Sequence, residues 1–137
     1  MKSLNLLLLL LPVFLLLDIT WLGVVMADFY SRELGDLVRR QGGAMAPRWA
    51  AAVPVYLLIP GGLVLFVRPR FASSRGLMTA WGWGAVFGGV LYGVYDLTNL
   101  SILEKWTLPM TVADILWGCV LCGTSSALLY LLDRRLK

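Results

Sequence analysis

Three aspartates stand inside stretches of sequence that are otherwise apolar: Asp18, Asp96 and Asp114. Two of them open the same pattern, Asp-Ile-x-Trp, at residues 18–21 and again at 114–117. The third stands in the run Tyr-Gly-Val-Tyr-Asp-Leu-Thr-Asn, which sets Tyr92, Tyr95 and Asn99 beside Asp96 at helical spacings. Carboxyls gathered away from water are the parts of acid–base chemistry, one protonated as acid and one ionised as base. Asp18, Asp96 and Asp114 are therefore the candidate catalytic residues. Trp21 and Trp117 each lie one turn from an acid, where an indole N–H can donate to a carboxylate. With Tyr56, Tyr92, Tyr95 and Asn99 they form the candidate ligand-binding set.

What is missing narrows the chemistry further. The chain has no His, the commonest general base and transition-metal ligand. Asp and Asn oxygens suit Ca²⁺, Mg²⁺ or Mn²⁺, but no ligand spacing singles out a metal site. Cys119 and Cys122 have C-x-x-C spacing inside an apolar stretch. That motif needs a thioredoxin-like context to be redox-active, so packing as small hydrophobes is expected. No cofactor is indicated by any motif.

The elements that must position these residues are membrane spans. Of 137 residues 59% are hydrophobic and 15% charged, and the mean hydropathy is +0.78. A soluble domain carries about 25% charged residues. The net charge of +4 includes no basic block, which gives a nucleic-acid partner no support. Four apolar segments, at about 4–26, 49–67, 77–100 and 110–132, each approach the ~20 residues that cross the hydrocarbon. The expected fold is all-α and integral to the membrane: one domain over 1–137, an antiparallel four-helix bundle with short loops. The Leu-rich start resembles a signal peptide, but it continues past Asp18 to span length, so it is expected to stay as the first span.

Lys2, Arg68, Arg70, Arg75, Arg134, Arg135 and Lys137 fall on the side of the termini. Arg32, Arg39, Arg40, Arg48 and Lys105 fall on the other. This bias places both termini in the cytoplasm. In the first loop of that other side, Tyr30, Leu34, Leu37 and Val38 share a helical face. A short amphipathic interfacial helix is expected there, ended by Gly42-Gly43, either lying in the interface or packed on the bundle as a connector. Pro54 and Pro60-Gly61-Gly62 should kink the second span. Gly84-x-x-x-Gly88 and Gly89-x-x-x-Gly93 should let the third approach a neighbour. The hydroxyls of residues 124–126 should bond to carbonyls within the last helix.

Asp18 comes late in a span running outward, and Asp114 early in a span running inward. At ~1.5 Å per residue both land in the outer half, roughly 5 Å and 10 Å from the midplane. The motif recurs because one depth is reached from opposite directions. Tyr56 and Asp96 come to the same level from the second and third spans. A charged Asp facing lipid near the centre would cost about 2.5–3.5 kcal/mol. The three acids should therefore face the bundle interior or a wet cavity. The plainer alternatives are helix-end positions for Asp96 and Asn99, a place in the first turn of the last helix for Asp114, and interfacial anchoring for Trp49 and Trp106.

At Leu-Asp-Ile-Thr-Trp-Leu-Gly, at Tyr95-Asp96-Leu97-Thr98-Asn99, and at Trp106 with Asp114-x-x-Trp117-Gly118, the chain resembles a family of small bacterial membrane proteins, domain of unknown function 2177. The resemblance covers nearly the whole chain. It implies a four-helix protein of the bacterial inner membrane and no established activity.

Three functions fit the residues. The first is an enzyme, or an accessory to one, that binds or modifies a lipid or other amphipathic small molecule by carboxyl acid–base chemistry. The second is a small proton- or cation-coupled transporter, for which no polar path through the inner half is evident beyond residues 124–126. The third is a non-catalytic assembly subunit. Membrane lipid is the expected partner, with a small amphipathic ligand and self-association into a homo-oligomer within the expectation.

Overall fold

The computed structural model describes residues 1–72 and 76–136. Arg75 and Lys137, counted above in the charge bias, lie outside the described residues. Four helices are long and apolar enough to cross a membrane: Lys2–Val25, Trp49–Ala72, Leu77–Ile102 and Leu108–Arg135. The protein is an all-α membrane bundle of antiparallel spans, as composition demands.

The first span is α1 (Lys2–Thr20), continued by a π-helical turn over Trp21–Val25. Its buried residues are Leu6, Leu10, Phe14 and Asp18. They recur every fourth position, so they form a single stripe. Asp18 is the next step of an apolar stripe, and this alone turns it toward the interior. Pro12 lies within the helix. An α-helix in lipid tolerates it because neighbouring elements accommodate the freed backbone groups.

Past the first span the chain forms α2 (Ala27–Leu34). This short amphipathic helix stops earlier than expected. Gly35 ends it, with φ of 46°, a backbone region that favours glycine. Gly42 and Gly43, expected as the helix stop, instead turn a two-residue antiparallel hairpin, β1 (Arg40–Gln41) and β2 (Ala44–Met45). Both take positive φ, 59° and 84°, which a tight hairpin turn requires.

The second span is α3 (Trp49–Gly62), extended by a π-helical turn over Leu63–Val67. Pro60 donates no backbone N–H and Gly61-Gly62 weakens the helix further, so the hydrogen-bond ladder widens here rather than breaking. The third and fourth spans, α4 (Leu77–Ile102) and α5 (Leu108–Arg135), pack along their lengths. Buried Ala80, Gly84 and Gly88 recur every fourth residue and bring α4 against α5. A Cβ on Gly88 would sit 2.0 Å from the Gly118 carbonyl oxygen, so only glycine fits. Asp96 stands on the same stripe two turns further on.

Hydroxyls and charges fasten the bundle. Ser126 Oγ donates 2.7 Å across to the Ala80 carbonyl. The expected bond within its own helix is replaced because the glycine stripe exposes a neighbour's backbone. At the end carrying the termini, Asp133 pairs with Arg68 at 2.8 Å and Lys2 at 3.1 Å, and Arg68 also reaches Ser3. Three spans are clasped there. At the opposite end, called the loop end below, Thr107 caps α5 by accepting from the Met110 N–H. It also donates to Glu33 at 2.6 Å, tying α2 to the bundle.

Candidate functional site

The two Asp-Ile-x-Trp motifs meet. Trp21 and Trp117 stack with centroids 4.4 Å apart and planes 5° from parallel. The Trp117 indole N–H donates to Asp18 Oδ1 at 2.8 Å. It therefore serves the acid of the other motif rather than its own. Trp21 Nε1 lies 3.4 Å from the Tyr30 hydroxyl, and that hydroxyl donates to Asp114 Oδ1. Each motif's tryptophan thus reaches the opposite motif's aspartate, once directly and once through a tyrosine. The π-helical turn begins at Trp21. Asp18 and Trp21 therefore keep ordinary α-helical spacing, and the widening falls between Trp21 and α2, which carries Tyr30.

The remaining groups extend this network. The Asp96 carboxyl adjoins that of Asp114. Asp96 is fully buried, and neither carboxyl oxygen has a donor among the described residues. The Tyr56 hydroxyl adjoins Asp18. So α1, α3, α4 and α5 each supply one polar group: Asp18, Tyr56, Asp96 and Asp114. Asp114 lies in the second turn of α5, past the reach of the helix N-terminus. Tyr92 packs its ring against Gly118, where a Cβ would approach within 2.4 Å. Asn99 sits beside Tyr95.

Tyr30 belongs to the site and was absent from the candidate set. In the sequence it reads only as an apolar position of α2. Its hydroxyl signals a second role, because a buried tyrosine usually seeks a partner. It is buried at 4% exposure. Burial, then the neighbouring Asp114 carboxylate, push its phenol above the ordinary 10.0, so it stays a donor.

Two cavities adjoin the network. The larger, about 530 Å³, lies at the loop end beneath α2 and the hairpin. Trp49, Tyr56, Tyr95 and Trp106 supply its aromatic wall, and Arg39 reaches it from the loop. The smaller, about 300 Å³, is an apolar groove between α3 and α4, walled by Val55, Leu58, Ile59, Leu91, Tyr92 and Tyr95. Tyr95 belongs to both and rests edge-on against Trp106, with centroids 5.8 Å apart. None of the three aspartates lines either cavity. Tyrosines stand between acids and open space: Tyr56 at the chamber, Tyr92 and Tyr95 at the groove. Trp106 is more than an anchor, since its indole N–H donates to Thr111 at 3.2 Å.

Among the described residues no group of three His, Cys, Asp or Glu is placed to hold a metal. Cys119 and Cys122 are free thiols, and Cys122 packs in the apolar core with Leu6, Leu10 and Leu129.

Four apolar spans joined by a carboxyl–aromatic network define an integral membrane protein of the helical-bundle class. The chain matches a family model described as "Predicted membrane protein (DUF2177)" over residues 3–131, and it belongs to that family. No curated protein and no solved structure matches it significantly.

Proposed function

We propose that the loop end of the bundle holds an amphipathic small molecule in the chamber beneath the hairpin and acts on it by acid–base chemistry. The observation that carries this reading is Tyr56, which lines the chamber and whose hydroxyl adjoins Asp18. A phenol so placed can pass a proton between a bound molecule and a carboxyl. Behind it, Asp96 is a fully buried carboxyl with no donor among the described residues. A proton shared with Asp114 would give one Asp96 oxygen a partner, and a reservoir of that kind suits proton transfer. Such carboxyls are costly to keep in a membrane, which makes function the default expectation.

The Lys and Arg distribution supports placing the loop end outside and the termini in the cytoplasm of a bacterial inner membrane. Acids that serve an externally facing chamber would then exchange protons with that side.

The test is mass spectrometry of small molecules extracted from purified protein, wild type beside Asp96→Asn and Tyr56→Phe. A distinct amphiphile should accompany the wild type, and its abundance or chemical form should change in the variants. The same bulk membrane lipid in all three samples would sink the reading.

A further inference from the structure

Resting on that reading, we infer that the occupant is an anionic membrane lipid, its headgroup against Arg39 in the chamber and one chain in the groove between α3 and α4. The two cavities share Tyr95 as a wall, so they lie side by side at that ring. Their linings differ in the way a lipid differs along its length. The groove wall is aliphatic apart from two tyrosine rings and lies between two membrane-spanning helices, the surroundings of a hydrocarbon chain. The chamber adds two tryptophans and a charge to a largely aliphatic lining, and Arg39 is the one charged side chain lining it among the described residues. Arg39 makes no ion pair among those residues. Its neighbour Arg40 is spent on the Ser31 and Gly43 carbonyls, and Lys105 on Asp36 at 3.3 Å. A guanidinium at the edge of such a chamber matches a phosphodiester, which it can grip with two parallel N–H donors. Asp18, Asp96 and Asp114 do not line the chamber. A neutral lipid would leave Arg39 without a counter-charge. A free phosphate would leave the groove empty.

The experiment uses full-length protein in detergent, offered phosphatidylglycerol, zwitterionic phosphatidylcholine and uncharged diacylglycerol, with retained lipid read by native mass spectrometry. Wild type should keep phosphatidylglycerol at least about tenfold over diacylglycerol, the effect of one charge-assisted contact. Arg39→Gln, on an exposed loop position, should bring that ratio close to one. Leu91→Trp, which fills the groove, should weaken retention of all three. Phosphatidylglycerol carrying a photoreactive chain should label peptides of α3 and α4 in the unaltered protein.

Equal retention of charged and uncharged lipid, or labelling elsewhere, overturns the assignment while leaving an amphiphile in the chamber. Retention of no lipid at one-to-one stoichiometry by wild type overturns both.

Discussion

Trp117 and Asp18 join the last span to the first through one indole N–H, and the worth of that bond can be bounded. Replacing Trp117 by Phe removes the donor and shrinks the stack on Trp21. Replacing Asp18 by Leu removes the acceptor and leaves a side chain of similar size on an apolar stripe. The bond is short at 2.8 Å, and Asp18 is 6% exposed. In water a hydrogen bond to a charged group contributes about 1.5–3 kcal/mol. In a bilayer the unfolded helices also find partners, and measured interhelical bonds average about 0.6 with a maximum near 1.7 kcal/mol. The membrane scale governs here, because Asp18 stays in lipid when the helices part. Short geometry and a carboxylate acceptor place this bond toward the upper end, at a coupling of about 1–1.7 kcal/mol. Trp117→Phe alone should cost about 1.5–3 kcal/mol, the lost bond plus about 0.5–1.5 for the stack. The double variant should recover the coupling, since no orphaned partner remains. The assay is reversible unfolding by sodium dodecyl sulfate in bicelles, followed by circular dichroism, for wild type, both single variants and the double. Additivity within about 0.3 kcal/mol would show that the two groups are independent, and the cross-linked motif would then hold nothing together.

The other expectations follow from equally local features. Gly88→Ala should force α4 from α5, since its Cβ would meet the Gly118 carbonyl oxygen at 2.0 Å; a loss of about 3 kcal/mol or more is expected. Gly82→Ala, with nothing within 4 Å of the new Cβ, should be neutral or stabilising by up to about 1 kcal/mol. The same unfolding titration separates the two. Tyr30 keeps its proton in the fold where a free tyrosine ionises near 10.0. Its contribution to stability is complete below that pH and falls as pH rises beyond it, because the unfolded chain releases the proton first. The phenolate absorbance of wild type minus Tyr30→Phe should therefore appear only well above pH 10; a difference signal at the ordinary value would place Tyr30 in water. Asp133→Ala should loosen the terminal clasp with Arg68 and Lys2 by about 1–2 kcal/mol, with a cost that shrinks at high salt. A salt-independent loss would assign Asp133 a packing role instead.

Much of this architecture is legible in composition and period. Four runs of span length require four crossing helices, since lipid satisfies no backbone group. The level shared by Asp18, Tyr56, Asp96 and Asp114 follows from counting residues along antiparallel spans. Rotation about the helix axes is harder to read. Which indole meets which acid depends on how the first and last helices are turned toward each other and on how closely glycines let α5 approach, and neither follows from spacing alone. The loop misled for a different reason. Tyr30, Leu34, Leu37 and Val38 keep helical period, and the last three do line one chamber, yet Gly35 breaks the helix between them. Arg-Gln-Gly-Gly-Ala-Met reads equally as a helix stop and as a hairpin turn, and pairing with Ala44 and Met45 decides for the hairpin.

The bond from Trp117 to Asp18 spans 99 positions of sequence, and that distance is also an interval of time. A ribosome delivers the first helix to the membrane long before it makes the last. Through that interval Asp18 is present in the bilayer without its donor, and Asp114, half of the other pairing, has not been made either. The nascent first span is consequently at its least secure while the rest of the chain is being synthesised. Until the fourth helix arrives, the second span is the neighbour that packs on it. Truncation before residue 117 should yield a first helix that slips or is cleared, whereas a separately expressed last span should rescue it in trans. Assembly of this bundle is completed from its far end, with the final helix securing the first.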